Sequence, residues 1–252
     1  MIVRASESLH WYRRDGTPQY TVEAAKGGQR ATTLRDARKM NLVPSVTTIM
    51  SCAAKPGLEA WKLNQMLLAA LTLPRAPEET EESYVNRIVS DSKEQAKQAA
   101  ERGTRIHEAV ESFYEGILIA DMAEYQLGVG EEIKNKYGLD DFQAEKAFAH
   151  ELGFGGKVDL HSRAYKDGLV LDVKSKEFTD PTKVEAYDEH LMQLSAYRVG
   201  LGLPKAECAN VFVSVTEPGL VVIKEWSQEE LERGWTMFSS LLAYWQAKNN
   251  HK

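Results

Sequence analysis

The stretch 155-GGKVDLHSRAYKDGLVLDVKSK-176 decides how this chain is read. Two apolar runs flank 163-RAYKDG-168, a charged segment closed by Gly168 that suits a turn. Each run carries one carboxylate, Asp159 or Asp172, and Lys174 follows two residues after the second. Aspartate disfavours strand interiors, so its presence in both runs needs a cause. Side chains alternate along a strand. Leu169, Leu171 and Val173 therefore share one face, and Asp172 and Lys174 the other; Val158 and Leu160 point away from Asp159. Pairing of the runs through the turn at 166–168 brings the two aspartates near each other and near Lys174. Facing carboxylates repel unless a cation lies between them. Hard oxygen ligands of this kind suit Mg²⁺ or Mn²⁺, and a fixed ammonium beside them can hold an attacking water or a phosphate oxygen. The competing reading is a pair of surface strands with solvated charges; the apolar flanks and the joint spacing weigh against it.

Outward from this stretch, 143–151, 155–163, 169–175, 209–217 and 220–226 read as strands, rich in Val, Leu and Phe or alternating, with Gly or Pro between them. A helix is expected over 188–202 and another over 227–248, where Ser227 and Glu230 match a capping box. Upstream, Pro44 and Ser45 mark a helix start, and a second helix follows Pro56 to Leu71. A polar helix over 81–101 is expected to stop at Gly103, with Thr104 capping a new one that ends at Gly116; a further helix runs over roughly 119–137 up to Gly138. Residues 10–24 read as a hairpin turning at Asp15–Pro18. Trp61 lies on the apolar stripe of its helix and is expected in the core, with base stacking as the alternative. The fold class is α/β, a central mixed β-sheet flanked by helices with a mostly helical N-terminal half. We expect one domain over 1–252: an N-terminal hairpin and basic arm (1–43), a helical region (44–138) and an α/β catalytic core (139–252).

With 252 residues, 43% hydrophobic and 27% charged, the composition is that of an ordinary globular protein. No apolar run is long enough to cross a membrane, and MIVRASESLHWYRRDG lacks an apolar signal core, so a cytoplasmic location is expected. Two cysteines, Cys52 and Cys208, are too few for a disulfide framework or a four-thiol iron–sulfur cluster. The net charge of −6 does not advertise a nucleic-acid binder. The segment 26-KGGQRATTLRDARK-39 is nonetheless basic, with Lys26, Arg30, Arg35, Arg38 and Lys39 against Asp36 alone; it can meet a polyanion or simply be a solvated loop. No Gly-x-x-x-x-Gly-Lys-[Ser/Thr] phosphate loop is present.

Asp159 followed by 172-DVK-174 resembles the signature of the PD-(D/E)xK nuclease superfamily, in its RecB-like branch. Two further matches strengthen the resemblance. The run 193-QLSAY-197 matches the Gln-x-x-x-Tyr motif on the helix after the lysine strand, with Gln193 and Tyr197 one turn apart. His107, in 103-GTRIHEAVESFYEG-116, matches the metal-ligating histidine on a helix before the sheet. The order of motifs over roughly 40–248 is similar to that of the mitochondrial genome maintenance exonuclease and phage-encoded relatives.

The resemblance implies a restriction-endonuclease-like core and a deoxyribonuclease, in this branch an exonuclease, that prefers single-stranded DNA or free ends. It implies one or two Mg²⁺ or Mn²⁺ ions held by His107, Asp159 and Asp172, with the Val173 carbonyl as an added ligand. Glu145, in the preceding strand, is an outer ligand or merely a strand carboxylate. Lys174 completes the catalytic set, and Gln193 and Tyr197 position the strand. Arg30, Arg35, Arg38 and Lys39, with Ser45 and Thr47, would contact the DNA backbone. Family context also implies a recombination partner such as a single-strand annealing protein, and a bacterial or phage-infected host cell. Two rival readings stand beside it: a structure-specific endonuclease or flap-cutter, and a DNA-binding module with a retired nuclease fold.

Overall fold

The computed structural model describes residues 10–252. The chain forms two compact units: one runs to Ala53 and resumes at His107, and the other comprises Ala54–Ile106. In chain order the elements are β1 (Trp11–Tyr12), β2 (Thr21–Glu23), β3 (Gln29–Ala31), α1 (Leu34–Met40), β4 (Val43–Pro44), α2 (Val46–Met50), α3 (Pro56–Thr72) and α4 (Glu81–Tyr114). Then follow α5 (Ala123–Tyr137), β5 (Gln143–His150), β6 (Phe154–Ser162), β7 (Leu169–Lys176), α6 (Asp188–Gly200), β8 (Glu207–Ser214), β9 (Val221–Trp226) and α7 (Gln228–Asn249). Among the described residues, no helix is long and apolar enough to cross a membrane.

The larger unit is α/β. Its mixed sheet has the order β5-β6-β7-β8-β9, antiparallel except for the parallel pair β7–β8, whose connection contains α6. A parallel pair needs such a crossover. Helix α6 packs on β5–β8 and is backed by α2 and α7, whereas α5 packs on β8 and β9. Val170 and Cys208 join Leu191, Leu194, Phe238 and Trp245 in the core beneath α6. Leu169, Leu171 and Val173 are equally buried at the alternate positions of β7, so both faces of this central strand are covered. The capping box at Ser227 and Glu230 forms as expected, as do the Ser45 cap of α2 and the left-handed Gly138 that ends α5.

Three expectations are corrected. The hairpin pairs β2 with β3, across the 24–28 turn within the basic segment, while β1 pairs with the distant β4. The expected turn does form, with an antiparallel bridge from Tyr12 to Pro18 and Gln19 N donating to the Trp11 carbonyl, but that pairing goes no further, and Trp11 and Tyr12 pair on their other side with Pro44 and Val43. Second, Gly103 does not stop a helix: α4 is continuous over Glu81–Tyr114. An interior glycine costs about 1 kcal/mol, a penalty that the surrounding Ala-, Glu-, Lys- and Gln-rich run outweighs. Third, Trp61 is not enclosed; it remains 38% exposed. Helix α3 also exposes Leu58, Leu63, Leu67, Leu68 and Leu71. A small, all-helical unit has too little interior to enclose apolar side chains on every side of α3.

Candidate active site

The ladder between β6 and β7 is short. It pairs Ser162 with Leu169, His161 with Val170 and Leu160 with Leu171, and ends there. The next position would set Asp159 opposite Asp172. At this point the Asp159 carboxylate, rather than a strand carbonyl, accepts the Val173 N–H, at 2.7 Å. The two aspartates therefore stand where the strands stop pairing, which is how both runs tolerate a carboxylate. β7 remains fully paired on its other side, with Asp172 beside Asn210 of β8.

Asp172 is completely buried, and both its oxygens are engaged. Lys174 Nζ donates to Oδ1 at 2.7 Å, and Asn210 Nδ2 donates to Oδ2 at 2.8 Å. Asn210 is also completely buried, and its carbonyl accepts from Trp226 Nε1 at 2.8 Å. Trp226 thus sets which way the amide points, and the amide sets the carboxylate. Sequence reading missed this chain; the visible signal was a lone amide in the apolar run 207-ECANVFVS-214.

The charges respond to this packing. Burial raises the Asp159 carboxyl above its ordinary value, and Asp172 raises it further, against the pull of His107, Lys174 and the Val173 N–H. Burial alone would lower the Lys174 ammonium, but Asp172 and Asp159 outweigh it and hold it above the usual lysine value. Burial, then Asp172 and Asp159, push the Tyr197 phenol well above its ordinary value. It is neutral at physiological pH and accepts from Gln193 Nε2 at 2.8 Å.

His107 Nδ1 lies 3.6 Å from Asp159 Oδ2. Glu111, one turn further along α4, feels both Asp159 and Lys157, and burial raises its carboxyl above the ordinary value. It too escaped sequence reading, although its i,i+4 spacing from His107 is visible. Glu145 is paired with Lys157 and has a left-handed backbone (φ 52°), uncommon for a residue within a strand. The glycine pair that opens the quoted stretch also has a cause. A Cβ on Gly155 would meet Tyr12 Cβ at 3.0 Å, and one on Gly156 would meet the Tyr197 ring at 2.9 Å. Their absence lets β1 and α6 close on β6 just before Asp159.

The expected backbone contacts are divided among several roles. Ser45 is buried and caps α2 by accepting from Thr48 N, with Thr47 Oγ1 3.0 Å from its hydroxyl. Arg30 holds Asp36 through two bonds of 2.6 and 2.8 Å. Arg38 donates to the Asn249 carbonyl at the end of α7. Arg35 and Lys39 are exposed.

His107, Asp159 and Asp172 form a donor set of imidazole and hard oxygen that suits Mg²⁺ or Mn²⁺. The two carboxylates already draw the Lys174 ammonium to this spot. Among the described residues, no three His, Cys, Asp or Glu side chains stand grouped as a ready-made metal site. The donor chemistry fits a divalent cation, and Lys174 presently meets Asp172 where the cation would share it.

No protein-family model matches the sequence, and no curated protein does. Among solved structures the chain is similar to one described as the crystal structure of SSO0001, at 15% identity over 73% of this chain and 86% of that chain, with a TM-score of 0.31. A likeness this slight carries no argument about fold or function.

Proposed function

We propose that the chain is a divalent-metal-dependent deoxyribonuclease of the PD-(D/E)xK type. It acts as an exonuclease on single-stranded DNA or free DNA ends, in phage-type replication, recombination or repair in the cytoplasm of a bacterial or phage-infected cell. The observation that carries this reading is the convergence of Asp159, Asp172 and Lys174 where the β6–β7 ladder ends, with His107 beside Asp159.

His107, Asp159 and Asp172 would hold the Mg²⁺ or Mn²⁺, with the Val173 carbonyl as an added ligand and Glu145 as an outer contributor. When bound, the cation supplies a Lewis acid for the phosphodiester and for the attacking water. Lys174 stays protonated, so it donates hydrogen bonds to the water or to a phosphate oxygen and stabilises the charge that builds up on phosphorus. Water attacks phosphorus, the bond to the 3′ oxygen breaks, and the products carry a 5′ phosphate and a 3′ hydroxyl. Asn210 keeps Asp172 in one orientation throughout. Gln193 and the neutral phenol of Tyr197 position the strand without adding negative charge. Arg35 and Lys39 offer exposed charge to the phosphates.

End-labelled linear single-stranded DNA, incubated with Mg²⁺, Mn²⁺ or EDTA beside a covalently closed single-stranded circle, tests the reading. Metal-dependent loss of the linear strand alone is expected. Cutting of the circle would make the protein an endonuclease, and no cutting with any metal would favour a DNA-binding module.

A further inference from the structure

Strand β7 does not end at Lys174. Lys176 occupies the same face as Asp172 and Lys174, roughly 7 Å beyond Lys174 along the strand. Its ammonium lies 5.1 Å from the centre of the Tyr187 ring and 6.0 Å from that of Phe212, and it donates to the Glu185 carbonyl at 3.4 Å. Tyr187 is a large aromatic left 47% exposed. Its position is nevertheless fixed. The N–H donates to His190 Nδ1 at 3.1 Å, the carbonyl accepts from Leu191 N at 3.2 Å, and the ring lies 5.6 Å from the His190 imidazole. Tyr187 caps α6, the helix of Gln193 and Tyr197. Two carboxylates, Asp188 and Glu189, follow Tyr187 in the first turn of α6, and Arg233 meets Asp188 at 3.1 Å.

A single nucleic-acid strand is recognised by an aromatic face for a base and a cation for a phosphate. We propose that Tyr187 and Lys176 form a nucleotide subsite beside the cleavage site, Tyr187 stacking on a base and Lys176 contacting the adjoining phosphate. The proposal rests on the nuclease reading above and specifies its substrate. A base stacked inside a duplex has no free face for Tyr187, so the subsite selects single strands and frayed ends. Stacking is tolerant of sequence, so no base preference follows from it.

The test measures anisotropy of a labelled oligothymidylate and of a blunt duplex with wild type, Y187A, Y187F and K176A in EDTA, followed by cleavage of the oligothymidylate in Mn²⁺. Y187A is expected to weaken single-strand binding about 5- to 150-fold, with a smaller loss on the duplex. Y187F keeps the ring and restores binding. K176A lowers the slope of log affinity against log salt by about 0.7. Thermal melting of each variant reports the fold, which an exposed side chain leaves intact. Unchanged single-strand binding by Y187A, or equal losses on single strand and duplex, overturns the subsite while leaving the nuclease reading to its own assay. A wild type that binds and shows the Y187A loss but never cuts sustains the subsite and overturns the catalytic reading. Absence of binding by wild type overturns the subsite, and the catalytic reading falls with it only if the oligothymidylate also stays uncut in Mn²⁺.

Discussion

The cost of burying Asp172 is offset because both its oxygens have donors, Lys174 and Asn210. Asp172→Asn keeps the shape and removes the charge. Cleavage should fall about 10³-fold or more, and the melting temperature should fall too, because the amide nitrogen faces one of the two donors and Lys174 loses its counter-charge; a rate assay beside a melt would check both. Asn210→Leu does a different kind of damage: it takes from Asp172 Oδ2 one of two donors, the other being Lys174 Nζ at 2.7 Å, and from the half-buried Trp226 N–H its acceptor. It should cost about 1–3 kcal/mol in chemical denaturation and loosen Asp172 as well. The aspartates and the lysine were legible because their meaning lies in spacing along two adjacent strands. Asn210 was not, since it reaches Asp172 only through the parallel pairing of β7 with β8, 38 residues away in sequence. Glu111 sits on a helix whose facing surface nothing local specifies.

Helix α6 brings Gln193 and Tyr197 to the sheet, and α7 backs it. Gly234 of α7 lies so close to α6 that an added Cβ would be 2.8 Å from Leu191 Cγ and 3.0 Å from the Leu191 carbonyl oxygen. Gly234→Ala should therefore destabilise the protein by about 1–3 kcal/mol, read by denaturant titration, and lower activity through displacement of α6. At the start of α7, the Ser227 N–H and hydroxyl hold the Glu230 carboxyl below its ordinary value. The folded pKa is lower than the unfolded one, so this contribution is present above the unfolded value and lost as pH falls through the folded one. Ser227→Ala should cost about 1 kcal/mol at neutral pH and flatten the acid limb of the stability profile. The strands and most helix ends were readable from period, proline, glycine and caps. The pairing of Trp11 and Tyr12 with β4 was not, because it joins segments about thirty residues apart and leaves no local signature. The continuity of α4 past Gly103 was misread because a single glycine was weighted above the run around it.

The whole molecule carries a net charge of −6, so any attraction for DNA must be local. Within the basic segment, Arg30 and Arg38 already serve the fold, through Asp36 and the carboxyl end of α7. Arg38→Ala should accordingly reduce stability more than DNA binding. Lys39→Ala and Arg35→Ala should weaken binding to all sequences alike and each lower the salt slope by about 0.7 for a single strand, measured by anisotropy across a salt series. The α/β class and the mixed sheet were visible from the order of periodic segments. The separate compactness of Ala54–Ile106 was not, because its apolar periodicity looks the same whether a helix meets a core or remains largely in solvent.

The central claim is that Asp159 and Asp172, with His107, bind a divalent cation beside Lys174. Calorimetric titration of Mn²⁺ into the wild type and the Asp172→Asn variant tests it most directly. Binding by the wild type that is lost or greatly weakened in the variant is the predicted result. Identical heats from both proteins, or no heat from either, would contradict the account.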